Sequence, residues 1–260
     1  MPNYTQKITD QVLDIIFPKK CLGCNKFTNS DVDFDYVCKK CFGKIELKNS
    51  LECIGCKRQT RLGFTCTFCD KENDADQLII AAELLDPLVE KILKAYKYKF
   101  IQNMALPLSI LAKKCVKKLL FKKFNLFGDN PLLIPVPLHK RRLNERGFNQ
   151  AELLVKNMAD AYHVVCNNDI LIRIANPKHQ AEIKVKSDRI NNVKNNFAVK
   201  TKELVRSKTV ILVDDICTTG ATLNECARVL KESGTKRVIG FVIARGTTEA
   251  RKNRKTRNRN

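Results

Sequence analysis

VILVDDICTTGATL, residues 210–223, decides how the rest of the chain is read. Val210 to Val213 are four consecutive apolar residues, the pattern of a short buried strand in a parallel sheet. Two carboxylates follow, Asp214 and Asp215, and then the small, hydroxyl-rich run Thr218, Thr219, Gly220, Ala221 and Thr222. A helical repeat starts at once with Leu223, Ala227, Val229 and Leu230 and stops at Gly234. The N–H groups at a helix start attract phosphate, and small residues let it approach. An acid pair just before them suits vicinal hydroxyls, because carboxylates accept hydrogen bonds from O–H donors. A phosphorylated sugar satisfies both halves, whereas either half alone is common as a solvated edge or a helix cap.

Working outward, 260 residues suffice for one core and a small accessory domain. No apolar run approaches about 18 residues, so no stable membrane insertion is expected. No secretory signal layout is present at the start of the sequence, and twelve cysteines then point to thiols and metal in a cytoplasmic, reducing setting. Residues 1–70 hold 11 Lys/Arg against 8 Asp/Glu, and residues 71–260 hold 37 against 19. Most of the net +21 charge therefore lies on the C-terminal part, which suggests a polyanionic partner, nucleic acid first. Compositional drift toward Lys and Asn is the competing explanation.

Four CxxC pairs lie in residues 21–69: Cys21/Cys24, Cys38/Cys41, Cys53/Cys56 and Cys66/Cys69. Two pairs make one tetrahedral thiolate site, so four make two structural Zn2+ sites with no open coordination position. Sequential pairing is the least costly arrangement, and an interleaved cross-brace is the alternative. The region has few large apolar residues, so metal would supply its stability. Of the other cysteines, Cys115, Cys166 and Cys226 read as buried small hydrophobes. Cys217 lies beside the phosphate loop without a partnered base.

The remaining elements fall in order. Residues 8–17 form a short amphipathic pattern, expected as a helix packed on the domain. KENDAD, residues 71–76, reads as a polar hinge. Strands are expected at Ile79–Leu85, Leu132–Val136, Asp169–Ile174 and Lys236–Ala244. Helices are expected from Pro87 to about Tyr98, from about Met104 to Phe124 and from about Gln150 to Tyr162, with a short one beginning at Ser187. Lys113, Lys114, Lys117, Lys118, Lys122 and Lys123 give the second helix a basic face, by default a solvated one. After Val136, a turn stiffened by Pro135 and Pro137 carries Arg141, Arg142 and Arg146. If that strand neighbours Val210–Val213, the turn shares a crevice with the phosphate loop. Residues 175–187 are polar. The last ten residues carry Arg251, Lys252, Arg254, Lys255, Arg257 and Arg259, a charge block of the polyanion-binding kind. The expected division is 1–18 amphipathic helix, 19–75 double zinc ribbon, 76–245 sugar-phosphate domain and 246–260 basic tail.

The 210–223 stretch resembles the phosphoribosyl pyrophosphate signature of type I phosphoribosyltransferases. That resemblance implies that Asp214 and Asp215 hold the ribose hydroxyls and that Thr218, Thr219, Gly220, Ala221 and Thr222 hold the 5′-phosphate. The wider layout resembles the ComF (competence protein F) family: an IIFP lead-in, four CxxC pairs, Lys97-Tyr98, PVPLHKRRLNERGFNQ at 135–150, Gln180, Arg189, Asn192-Val193, Phe197 and VDDICTTGATL. The resemblance covers residues 12–245, with RGFNQ after PVPLH its most specific piece. It implies an α/β fold, a type I phosphoribosyltransferase-like parallel sheet preceded by a double zinc ribbon. It makes Val136, Pro137, Leu138 and His139 the pyrophosphate loop, with Arg142 and Arg146 as charge partners. It further implies Mg2+ with phosphoribosyl pyrophosphate, and single-stranded DNA handled during uptake alongside DNA-uptake proteins. Cys217 departs from the apolar residue common in related loops, and no residue identifies a base. Two functions therefore stand side by side. One is a ligand-binding competence protein acting on single-stranded DNA; the other is an active transferase moving ribose 5-phosphate to an acceptor, with no catalytic residue assigned. With no tryptophan and five tyrosines, Tyr96 and Tyr98 beside Lys97 and Lys99 are the expected stacking sites for bases.

Overall fold

The computed structural model describes residues 18–28, 34–98, 102–174 and 194–246. The helix expected at 8–17, Lys99, the polar run 175–187, the start of the helix from Ser187 and the basic tail beyond Gly246 lie outside the described residues. The chain forms a short helix α1 (Lys39–Phe42), strand β1 (Gln77–Glu83), helices α2 (Pro87–Tyr98) and α3 (Ala105–Phe121), then strand β2 (Pro131–Pro135). Helices α4 (Lys140–Arg146) and α5 (Gln150–Tyr162) follow, then strands β3 (Leu171–Arg173), β4 (Phe197–Val199) and β5 (Thr209–Cys217), helix α6 (Ala221–Glu232) and strand β6 (Arg237–Arg245).

Four strands make a parallel sheet in the order β1-β6-β5-β2. Side chains alternate between faces along each strand. Ile211, Val213, Ile239 and Phe241 join one core with Ile92, Leu108 and Leu154 of α2, α3 and α5. Val210, Leu212, Val238 and Val242 join a second core with Leu223 and Leu230 of α6. Burial of each such side chain stabilises by about 1.5–3 kcal/mol. Covered on both faces, β5 has the continuous apolar run that its sequence shows.

The structure differs from the sequence reading at three elements. Strand β5 continues through the acid pair to Cys217, because β6 is long enough to pair Asp214 with Val242 and Cys217 with Arg245. Residues 171–173 do not join the main sheet but pair antiparallel with β4. The turn after Pro137 contains a helix, α4, started by His139 and ended by Gly147 in the left-handed region at φ 74°. Gly147 after a charged heptad was the available signal, a glycine just past a helix end.

The cysteine-rich region does not stand apart. Its Val37, Phe42 and Ile45 are buried in the core shared with the sheet, and Leu47 bridges Ala82 of β1. The lysine face of α3 grips it: Lys118 Nζ donates to Lys48 O at 3.1 Å and Asn49 Oδ1 at 2.6 Å, and Lys114 lies 4.7 Å from the Phe42 ring centre. Residues 71–76 are tied down as well. Asn224 Oδ1 of α6 accepts from Asp74 N at 2.7 Å, and Asp76 pairs with Lys231 at 2.7 Å. Among the described residues no helix is long and apolar enough to cross a membrane.

Candidate functional site

The acids sit where β5 loses a neighbour. Strand β2 ends at Pro135 opposite Val213, while β6 continues to pair with β5 on its other side. The two carboxylates diverge by strand alternation. Asp215 faces the α2 side, is buried, and pairs with Lys97 Nζ at 2.7 Å. Asp214 is half-buried, and its Oδ1 accepts from the Asp215 backbone N–H at 2.7 Å. Burial first, and the Asp215 charge second, push the Asp214 carboxyl above its ordinary 3.8, to about 7. One acid is thus ion-paired with a lysine, and the other is pushed toward its protonated form by burial and by its neighbour's charge.

The hydroxyl-rich loop follows directly. Thr218 and Thr219 are exposed, Gly220 takes φ 91°, and Ala221 and Thr222 open α6. The helix start has no side-chain cap, apart from a weak turn bond from Ala221 N to Thr219 Oγ1 at 3.3 Å. Uncapped N–H groups with the positive end of the helix dipole form an anion site. Beside it, the Cys217 thiol is buried and raised to about 11, chiefly by that burial, so it is no nucleophile near neutrality.

The loop after β2 reaches the same edge. Val136 N donates to Val213 O at 2.9 Å, which fixes the loop against β5. RGFNQ clamps it. Asn149 Nδ2 donates to Val136 O at 3.2 Å while its Oδ1 caps α5, and Phe148 packs on Tyr96 with ring centres 5.6 Å apart. Arg146 is committed to Gln150 Oε1 at 2.8 Å and lies 5.8 Å from the Tyr98 ring centre. Arg141 pairs with Glu145 at 2.9 Å, and Arg142 is exposed. His139 accepts from Arg141 N through Nδ1 at 3.2 Å. Its pKa is lowered, by burial first and then by Arg173, Arg142 and Arg141. The ring is therefore neutral near neutral pH, in a loop whose positive field comes from the arginines.

Two site residues were not assigned roles from sequence. Lys97, noted in the family layout and beside the expected stacking tyrosines, is the partner of Asp215. Arg173, from the β3–β4 hairpin, brings a half-buried guanidinium among His139, Arg142 and Cys226 and 5.1 Å from the Phe197 ring centre. No local pattern marks either one, since each reaches the site through tertiary packing. Two expectations are corrected. Tyr96 is no stacking platform: it is fully buried and its hydroxyl donates to Gln150 O at 2.8 Å. Tyr98 remains exposed. Cys166 is exposed rather than buried, because it lies at the outer edge of the sheet, bridged to Leu133.

The eight knuckle cysteines gather sequentially into Cys21, Cys24, Cys38, Cys41 and Cys53, Cys56, Cys66, Cys69, each group with its sulfurs within 4.8 Å of one another. The cross-brace is thereby excluded. A Zn–S length of about 2.3 Å sets tetrahedral sulfurs about 3.8 Å apart. Cys24 and Cys38 sulfurs lie 3.8 Å apart, and those of Cys56 and Cys66 3.7 Å. Backbone N–H groups of Gly23 and Cys38 point at Cys21 Sγ, both at 3.3 Å, and Cys66 N points at Cys53 Sγ at 3.4 Å. Such bonds favour thiolates, and the donor set fits zinc.

A family model described as "Phosphoribosyl transferase domain" matches residues 161–259. The chain is 27% identical over 231 residues to competence protein F of Haemophilus influenzae, covering 82% of this chain and 98% of that protein. Against competence protein ComFC of Bacillus subtilis the identity is 29% over 245 residues, covering 86% and 94%. Against DNA utilization protein YhgH of Escherichia coli O157:H7 it is 31% over 113 residues, covering 44% and 48%. Two four-cysteine clusters thus precede a parallel-sheet phosphoribosyltransferase-type domain, and along most of its length the chain is similar to competence proteins F and ComFC.

Proposed function

We propose that this protein binds phosphoribosyl pyrophosphate with Mg2+ and handles single-stranded DNA during DNA uptake, in the cytoplasm. The observation that carries the ligand is the uncapped start of α6, with Gly220 in the left-handed region, directly after an acid pair on a strand that has lost one neighbour. In this reading the 5′-phosphate takes the N–H groups of 218–222. Asp214 and Asp215 accept from the ribose hydroxyls, with Lys97 orienting Asp215. The diphosphate lies along Val136–His139 near Arg142, with Arg146 at the end of α4. Mg2+ would neutralise charge on the diphosphate oxygens. The DNA role is supported by the net +21 charge and by the competence and DNA-utilization relatives.

Isothermal titration with phosphoribosyl pyrophosphate and Mg2+, with and without a single-stranded oligonucleotide, tests both halves. Binding in the micromolar range, lost in Asp214→Asn/Asp215→Asn while that variant remains folded with two zinc ions, is the expected result. No heat from the zinc-replete protein overturns the ligand assignment. No anisotropy change with a labelled oligonucleotide at low salt overturns the DNA assignment.

A further inference from the structure

The second four-cysteine cluster is built into the wall of the phosphate loop. Ile54, between Cys53 and Cys56, is fully buried. A Cβ placed on Gly220 would lie 2.8 Å from Ile54 Cγ1 and 3.2 Å from Ile54 O. The knuckle thus presses on the residue whose left-handed turn opens α6. Arg245, the last residue of β6 and nearly fully buried, holds the knuckle from behind. It donates to Cys53 O at 2.9 Å and to Ile54 O, and pairs with Glu52 at 3.3 Å, while its Nε has no partner. Gly246 N donates to Cys217 O at 2.8 Å, so the same strand end also fastens the residue before the loop.

Lys57 follows the knuckle at φ 64°. The equivalent position after the first knuckle is Asn25 at φ 61°, a residue that tolerates this conformation at little cost. Lysine there is less favourable, and its ammonium reaches Gly246 O at 3.4 Å, at the edge of the loop. The loop therefore has a positive group on its rim that does not belong to the sheet domain.

We infer that the second knuckle, residues 53–57, is part of the anion site: Ile54 and Arg245 are positioning residues for the phosphate loop, and Lys57 supplies charge to the bound phosphate. This rests on the proposed sugar-phosphate reading. Metal bound by Cys53, Cys56, Cys66 and Cys69 would keep the knuckle rigid, so ligand affinity follows that cluster and not the first.

The test compares Ile54→Ala with Leu22→Ala, its counterpart in the first knuckle, in the full zinc-replete chain. Ile54→Val and Lys57→Gln complete the set. The readouts are titration with phosphoribosyl pyrophosphate and Mg2+, and hydrogen exchange of the amides of 217–223. Ile54→Ala should weaken binding about tenfold or more and raise exchange at those amides, with two zinc ions retained. Ile54→Val should restore both, and Leu22→Ala should change neither even where it lowers the melting temperature by as much. Lys57→Gln should weaken binding several-fold with unchanged exchange. Equal losses in Ile54→Ala and Leu22→Ala, or unchanged exchange in Ile54→Ala, overturns the positioning role. Unchanged affinity in Lys57→Gln overturns the rim charge. If the unaltered protein takes up no ligand, the sugar-phosphate reading fails by itself. The positioning role is then still decided by the exchange comparison.

Discussion

CLGC at 21–24 and CIGC at 53–56 are near copies in sequence and in backbone. In each, the first cysteine is buried and the last exposed. Cys21 N donates to Lys26 O at 2.8 Å and Cys53 N to Arg58 O at 2.9 Å, so the turns close alike. Their second residues differ in what they meet. Leu22 packs toward α2, where Lys91 Nζ donates to its carbonyl at 2.9 Å. Ile54 meets Gly220 and Arg245. The first knuckle packs on α2, whose far end carries Lys97. The second touches Gly220 directly. The two turns match, and what differs is the neighbour laid against the second residue.

Metal gives the largest expected effect. Metal analysis should find two zinc ions per chain, falling to one in Cys21→Ser/Cys38→Ser and to one in Cys53→Ser/Cys66→Ser. Structural zinc sites contribute on the order of 10 kcal/mol to small domains, so both variants should melt much lower. Only the second should lose ligand at a temperature where it is still folded; equal loss in both would break the distinction between the knuckles.

The acids come next, because they report the site without touching either cluster. Asp214→Asn/Asp215→Asn should forfeit charge-assisted hydrogen bonds of about 1.5–3 kcal/mol each in ligand affinity. Titration at fixed zinc content measures it, and unchanged affinity would leave the second knuckle supporting a loop without a ribose site.

Lys97→Met sharpens the first knuckle's indirect route. It leaves Asp215 buried without its cation, a loss of about 3–5 kcal/mol for fully buried pairs and less at this partly accessible one. Urea unfolding of Lys97→Met, Asp215→Asn and the double variant should give a clear coupling energy. Additive effects would mean that α2 carries nothing to the site.

Asp214 adds a smaller, pH-dependent effect. Its folded pKa, about 7, exceeds the ordinary 3.8, so folding takes up a proton between those values and stability falls as pH rises through that window. Asp214→Asn should therefore raise the melting temperature by a few degrees at pH 8 and leave it unchanged below pH 4. The same rise at both pH values would show that the gain does not come from the carboxyl's ionisation.

The smallest effect concerns DNA. Log affinity for single strands falls with log salt by about 0.7 per phosphate neutralised. Removing residues 247–260, which spares the Gly246 bond to Cys217, should flatten that slope in an anisotropy titration. An identical slope would place the contacts on residues 1–246.

Much of this was legible locally. Four apolar residues before an acid pair specify a buried strand, and a glycine among hydroxyls before a helical repeat specifies a turn into a helix start. CxxC spacing specifies thiolate clusters. These are properties of neighbouring residues, and period and spacing carry them. Local pattern was silent wherever a long-range partner decides. Strand β5 runs past its apolar core because β6 pairs with it, and Tyr96 is buried because α5 offers the Gln150 carbonyl. Helix α4 was hidden behind two prolines and a run of arginines that read equally well as a turn. Sequence by itself determined the parallel-sheet domain, the acid pair followed by a small, hydroxyl-rich loop, and eight cysteines in four pairs. Only the tertiary structure decided that Lys97 faces Asp215, that Arg173 lies against the Phe197 ring, and that of two matching knuckles Ile54 and not Leu22 presses on Gly220. Periodicity fixes which side of an element is apolar, whereas the packing of the whole chain chooses what that side meets.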